Sequence, residues 1–325
     1  MLPVLPVLPV LPVLPVLSVA DKSVPVAVSA PDVMRKDVDR LINSLQQDSS
    51  LKVWSLIVTF FGDAVVARGG NVSARTVQTV LSGMGIGAGA VRTAFSRLAG
   101  DQWIVRQKIG RESFYELALD GYQPFKSASV RIYSPSIASV ELPSSRNWTV
   151  AVKNPAIKKN SVSVPGDGIR ITSNCWLFDT IKADIKKQLQ LDGFMLLTGH
   201  LEEFPEWVTD TLLPNTASQG YALLEQRFSS IKRTDTLEPL ESLVLRCLLI
   251  HQWRRLLLRT QALPSEMLPD SWPETQCREF VSNLYHKLLS GSEAWLDEYA
   301  ACADGPLPAP SVDVRLRFTE RFNNN

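Results

Sequence analysis

Arg92, Thr93, Ser96 and Arg97 lie within six residues of one another, and their spacing puts guanidinium and hydroxyl groups on a single helical face. Such groups donate to phosphate oxygens and reach the edges of bases, so the chemistry they could do is nucleic-acid recognition rather than bond making. A second cationic group, Lys108 and Arg111, follows within twenty residues, flanking Ile109-Gly110. The three histidines, His200, His251 and His286, sit in no His-Glu-x-x-His pattern, and neither Gly-x-Ser-x-Gly nor a phosphate-binding Gly-Lys-Ser/Thr loop occurs. No pair of acids has a catalytic context, so the sequence predicts a binding protein and not an enzyme, with no catalytic residue and no metal ligand.

The elements that would position these side chains follow from periodicity. Val91, Ala94, Phe95 and Leu98 fall at i, i+3, i+4 and i+7, which predicts a helix with its apolar face inward and Arg92, Thr93, Ser96 and Arg97 outward. After Gly100 the period shortens to two: Trp103 to Gln107 and Glu112 to Leu117 read as strands of a hairpin with Lys108-Ile109-Gly110-Arg111 at its tip. Upstream, Leu51 to Phe61 is apolar at eight of eleven positions and should be a buried helix ending at Gly62-Asp63. Ser73 is a candidate N-cap for a further helix with Val77, Val80 and Leu81 inward and Arg75 outward. The glycines from Gly83 to Gly89 then make a turn. A helix, a turn, a second helix and a basic hairpin have the layout of a winged helix-turn-helix, in which the second helix enters the major groove and the hairpin tip touches backbone or minor groove.

Bulk properties agree. The 325 residues allow two or three domains, and the formal net charge of +1 hides an uneven distribution. Between Leu51 and Arg131 ten Lys and Arg face five acids, so the positive excess coincides with the candidate reader. Cys175, Cys247, Cys277 and Cys302 are far apart with no metal-ligand spacing, as expected of reduced core thiols. No apolar run approaches the roughly 18 to 20 residues of a membrane helix, so a soluble, cytoplasmic protein is expected. At the start, five copies of Leu-Pro-Val place proline at every third residue, which excludes a helix and predicts a disordered tail over residues 1–33, with Met34 the expected functional start.

Three ordered blocks, Trp54-Ser-Leu-Ile-Val-Thr-Phe-Phe-Gly-Asp63, Val91-Arg-Thr-Ala-Phe-Ser-Arg-Leu98 and Gly110-Arg-Glu-Ser-Phe-Tyr-Glu-Leu117, resemble the N-terminal half of the PaaX family, repressors of phenylacetic acid degradation operons. His251-Gln-Trp-Arg-Arg-Leu-Leu-Leu and Ala262-Leu-Pro-Ser-Glu-Met-Leu-Pro-Asp-Ser-Trp-Pro273 resemble its C-terminal signature. The sequence departs from the family pattern at Arg259-Thr-Gln-Ala-Leu-Pro264 and at Glu274, where a glycine usually follows Trp-Pro.

The resemblance implies an α+β multidomain protein: a winged helix-turn-helix over residues 34–125, a ferredoxin-like middle domain that dimerises over 126–203, and a helical C-terminal domain over 204–304. The Pro-rich and then polar segment 305–325 is expected to be a mobile tail. The residues are compatible with this. Val130 to Ser134, Asn147 to Lys153 and Gly193 to Gly199 read as strands, and Phe178 to Leu191 as a helix. Helical stripes cover Tyr221 to Ile231, Leu240 to Leu258 and Thr275 to Leu289.

The resemblance further implies a homodimeric repressor without a cofactor. It would bind palindromic double-stranded operator DNA and leave it when an aromatic acyl-CoA, such as phenylacetyl-CoA, binds. Candidate groove contacts are Arg92, Thr93, Ser96 and Arg97; candidate DNA-backbone contacts are Ser73, Arg75, Lys108, Arg111 and Ser113. A CoA thioester needs cations for its phosphates and an apolar site for its acyl group, which makes Arg254 and Arg255, beside Trp253, the candidate effector residues. Two other readings remain: a nuclease-like protein built on the middle domain, although Val130-Arg-Ile-Tyr-Ser134 offers no metal-binding carboxylate, and a helical adaptor without operator binding.

Overall fold

The computed structural model describes residues 36–47, 51–118, 128–136, 147–154, 168–178, 181–200, 205–213, 215–231, 234–259, 268–269, 271–320 and 322. The Leu-Pro-Val repeats and Met34 lie outside the described residues. Helix α1 (Lys36–Gln47) buries Val38, Leu41, Ile42 and Leu45 on one stripe. Helix α2 (Val53–Phe60) is followed not by a stop at Gly62-Asp63 but by a π-helical turn over Phe61–Val65 and a 3-10 turn over Val66–Arg68. The wider turn buries Asp63 in the interior, where arginines from two other elements meet it. Strand β1 (Asn71–Ser73) leads into α3 (Ala74–Gly83), capped as expected by Ser73, whose hydroxyl accepts from the Thr76 amide at 3.1 Å. At Gly83 a Cβ would stand 2.8 Å from Val244, so the glycine permits the close approach of α3 to the C-terminal helices.

Helix α4 (Ala88–Gly100) buries Val91, Ala94, Phe95 and Leu98 as the periodicity predicts. Strands β2 (Ile104–Ile109) and β3 (Glu112–Leu117) pair antiparallel, and β1 joins β3 to give the sheet order β1-β3-β2. Ile109 pairs with Glu112, leaving a two-residue turn whose first residue, Gly110, has φ +59°, a backbone region natural to glycine and suited to the twist of a hairpin. The Phe95 and Tyr115 rings stack with centroids 3.9 Å apart, fixing α4 on the sheet.

Val130 to Ser134 is expected as a strand, but residues 128–133 form a short helix, α5. Ile132 and Tyr133 are both buried, which alternation cannot provide, and the Ser134 amide bonds the Val130 carbonyl in helical register. Strands β4 (Asn147–Lys153), β5 (Ile169–Thr172), β6 (Cys175–Phe178) and β7 (Phe194–His200) form an antiparallel sheet of order β5-β6-β4-β7, with α6 (Ala183–Leu191) between β6 and β7. The helix begins five residues later than expected because Phe178 still pairs with Thr149 in the sheet. One sheet face places Trp148, Ile169 and Leu177 against Val208 and Leu212 of α7 (Glu206–Leu212); the other places Ala151, Trp176 and Phe178 with Leu189 of α6. Along β7, an edge strand, Met195 and Leu197 stay 63 % and 66 % exposed.

Helices α8 (Asn215–Phe228), α9 (Pro239–Leu257) and α10 (Glu274–Tyr299) follow. Glu274, at the departure from the family pattern, opens α10 without disturbing it. Its carboxylate lies at the favourable positive end of the helix and accepts from Arg278 at 2.8 Å and the Tyr221 hydroxyl at 3.2 Å. One continuous apolar core runs from α1–α4 through α5 into α8–α10.

The described part of 305–325, expected as a mobile tail, packs against the body, with Leu307, Val314, Arg317 and Phe318 buried. After a short hairpin of β8 (Ala301–Cys302) and β9 (Gly305–Pro306) and the turn α11 (Asp313–Leu316), Phe318 enters an aromatic cluster with Tyr133 and Tyr285. Arg317 is buried on Asp63, its Nη1 2.9 Å from Oδ1 and its guanidinium 4.2 Å over the Tyr133 ring. Arg246 of α9 holds the other carboxylate oxygen of Asp63 at 2.7 Å and also pairs with Glu293. Glu293 in turn pairs at 2.5 Å with Arg68, which bonds Asp297 at 2.8 Å. Three arginines thus meet three carboxylates at the seam between the N-terminal and C-terminal helices.

Candidate nucleic-acid interface

The outward face of α4 carries Arg92, Thr93, Ser96 and Arg97, all exposed. Arg92 makes no ion pair or hydrogen bond among the described residues. Thr93 donates to the Gly89 carbonyl at 3.1 Å, which steadies the first turn and leaves the hydroxyl oxygen facing out. Arg97 is held at both ends of its reach: its Nε is 3.6 Å from Asp101, and its guanidinium lies over the Trp54 ring, 5.7 Å from the centroid. Both contacts are exposed and weak enough to exchange for a phosphate or a base.

Beyond Ile104 every residue of β2 is exposed, so the hairpin projects from the body. Lys108 and Arg111 stand at its end with no partner among the described residues. Exposed Ile109, at 44 %, sits between them. On the same hairpin, Arg106 donates two hydrogen bonds to the Ser113 hydroxyl, at 3.2 and 2.8 Å, so Ser113 braces a cation. Arg106 is an exposed basic residue that the sequence reading passed over. Its signal was available: alternation puts it on the same strand face as Lys108. Arg75 lies on the α3 surface, 3.4 Å from Glu112 at the hairpin.

Ser73 departs from its expected role. It is 4 % exposed, and its hydroxyl is engaged with both the amide and the hydroxyl of Thr76. A group that caps a helix from inside the core is not presented to a phosphate.

The three effector candidates are adjacent in sequence and separate in space. Trp253 is fully buried and its indole donates to the Ile132 carbonyl at 3.0 Å. Arg254 reaches across to α2, donating to Thr59 Oγ1 at 2.7 Å and to Ser55 Oγ at 2.6 Å. Arg255 lies on another side of the helix, half-buried. Trp253 is therefore a packing residue of the α5–α9 contact, whereas Arg254 borders open space.

Among the described residues no group of three or more His, Cys, Asp or Glu could hold a metal ion. His251 is fully buried with Nδ1 2.9 Å from Thr59 Oγ1, and no helix among the described residues is long and apolar enough to cross a membrane. Cys247, Cys277 and Cys302 are buried and Cys175 is half-buried; burial raises the Cys247 and Cys277 thiols well above their ordinary range, which keeps them protonated.

Comparison with known proteins adds three findings. Residues 52–121 match the family described as PaaX-like protein, and residues 214–298 match the PaaX-like protein C-terminal domain. The transcriptional repressor PaaX of Escherichia coli (strain K12) is 26 % identical, over 81 % of this chain and 89 % of its own. Among solved structures, an uncharacterized protein from Mycobacterium tuberculosis aligns at 14 % identity with a TM-score of 0.37, covering 68 % of this chain and 91 % of that one.

Proposed function

Because the chain belongs to the PaaX-like protein family, we propose that it is a transcriptional regulator, not an enzyme: a repressor that binds operator DNA as a homodimer and releases it on binding an aromatic acyl-CoA such as phenylacetyl-CoA. The observation that carries the DNA half is the pairing of two exposed cationic elements on one small body, the outer face of α4 and the tip of the β2–β3 hairpin. Of their cations, Arg92, Lys108 and Arg111 have no partner of their own among the described residues. With α3, the tight turn at Gly85 and the sheet behind them, they support a winged helix-turn-helix in which α4 enters the major groove. Arg92, Thr93, Ser96 and Arg97 face the bases, while Lys108 and Arg111 take the sugar-phosphate backbone. Arg75 and Ser113 stay at the margin of that footprint, tied to Glu112 and Arg106.

The order β5-β6-β4-β7, with α6 connecting β6 to β7, supports the ferredoxin-like reading of the middle segment. We place the dimer interface at β7, which among the described residues is an edge strand and carries two exposed apolar side chains, features by which a second copy could add to a sheet. Leu197→Asp combined with Met195→Asp is expected to give a monomer at concentrations where the wild type sediments as a dimer. An unchanged sedimentation coefficient would move the interface elsewhere.

The direct test of function is binding of the purified protein to the DNA upstream of its own gene, at fixed salt, with and without phenylacetyl-CoA. Specific binding that the thioester reverses is the expected result. Binding that ignores the thioester removes the effector half, and absence of specific binding returns the adaptor reading.

A further inference from the structure

A cavity of about 350 Å³ opens between the reader and the C-terminal helices. Trp54 and Val58 of α2 and Trp103 at the root of β2 form one side; Ile132 of α5, Ile250 of α9 and Leu258 just past its end form the other. Small-molecule sites are typically about 300 to 1,000 Å³, apolar, with few polar groups that fix orientation. This cavity fits that description at the small end. Its distinctive polar group is Arg254. The guanidinium spends Nε on Thr59 and Nη2 on Ser55, and among the described residues its Nη1 has no partner and it makes no ion pair; Asp63, the carboxylate that also lines the cavity, is held by Arg246 and Arg317. Burial lowers its pKa, yet an arginine stays charged, so a cation with no ion pair among the described residues borders an aromatic-walled space.

We propose that this cavity binds the aromatic acyl moiety of the effector, with the ring between Trp54, Trp103 and Ile132 and the acyl oxygen accepting from Arg254 Nη1. This rests on the ligand-released repressor described above and adds where the ligand sits and how the reader senses it. The ligand chemistry is an aryl ring joined to a carbonyl or carboxylate. A free arylacetate and the arylacetyl end of a thioester both carry it, and the nucleotide of a thioester would extend outside a space of this size.

The position of the walls supplies the coupling. Trp54 lines the cavity and also carries the Arg97 guanidinium on its ring. Trp103 lines it too, and its backbone bonds Leu98 of α4 at 2.9 Å and Ala118 beyond β3 at 3.0 Å. A ring inserted here presses on the residues that hold the base-reading arginine and the root of the wing, while α9 forms the fixed opposite wall. Release follows because the filled cavity and the DNA-bound reader need different positions of the same two tryptophans.

The test is calorimetric titration of the full chain with phenylacetyl-CoA, phenylacetate and CoA alone. The same titrations are made on Arg254→Gln and on Leu258→Trp, a rim change at a 43 % exposed position that fills the space without cutting the α2–α9 hydrogen bonds. Both variants should lose about tenfold or more in affinity for the aryl ligand, since one removes a charged donor and the other removes room. Their DNA complexes should resist thioester concentrations that release the wild type. Binding of phenylacetate that both variants weaken identifies the free acid as a source; binding of the thioester alone identifies CoA attachment as required. Wild-type affinity in both variants overturns this site and leaves the repressor reading intact. No binding of thioester or acid by the wild type overturns the site together with the effector half of that reading.

Discussion

Asp63→Ala is expected to lower the free energy of unfolding by about 3 to 5 kcal/mol, the cost of leaving buried cations without their counter-ion. Asp63 is 2 % exposed, and its side chain takes Arg246, Arg317 and the hydroxyl of Tyr133 within 2.9 Å. Removing it leaves two guanidiniums in the interior, one of them still matched by Glu293 and the other without a carboxylate among the described residues. The control is Asp37→Ala, which breaks an ion pair with Arg40 at 3.2 Å whose partners are 75 % and 59 % exposed; such pairs are worth about 0 to 1 kcal/mol. Denaturant unfolding of the three proteins gives the comparison. Equal midpoints for Asp63→Ala and wild type would refute the assignment of the seam to this carboxylate.

Arg92→Ala with Arg97→Ala is expected to weaken specific operator binding by about a hundredfold or more, each arginine contributing about 1 to 3 kcal/mol if it reads a base. The fold should survive, because both side chains are exposed and Arg97 loses only its contacts with Asp101 and Trp54. Lys108→Ala is the contrast within the same experiment: a backbone contact on the wing weakens all sequences alike and lowers the salt slope by about 1. Anisotropy titrations over a range of salt separate the two behaviours. Operator affinity unchanged in the double variant would remove α4 from the groove.

These two results probe parts of the molecule that differ in how far they could be seen from sequence. The reader was legible because its determinants are local. The Ser73 cap and the four inward residues of α4 appear as expected, and the hairpin forms where expected, although its first strand runs on through Ile109 and leaves a turn of two residues instead of four. The seam was not, because its determinants are long-range. Nothing in the sequence around Arg246, Arg68 or Arg317 marks them for burial, yet they are 0 %, 1 % and 4 % exposed. No spacing rule pairs them with carboxylates in other elements. The same reason applies to residues 128–133: Val-Arg-Ile-Tyr has strand propensity, but the Trp253 indole and Arg278 fix its carbonyls in a helical turn. The effector candidates divide along this line as well. Leucine-rich surroundings were visible for Trp253 and Arg254 alike, and only packing against α5 and α2 distinguishes the buried anchor from the cation that borders the cavity.

The grip of Arg317 on Asp63 spans 254 positions of sequence. A ribosome that has released the segment from α1 to β3 still has most of the chain to make, at about 5 to 20 residues per second, before that arginine emerges. During those seconds the carboxylate has no Arg246 or Arg317 to meet, and the aromatic socket for Phe318 stands empty. The order of synthesis therefore delays completion of the interior around Asp63 until the segment that carries Arg317 and Phe318 arrives.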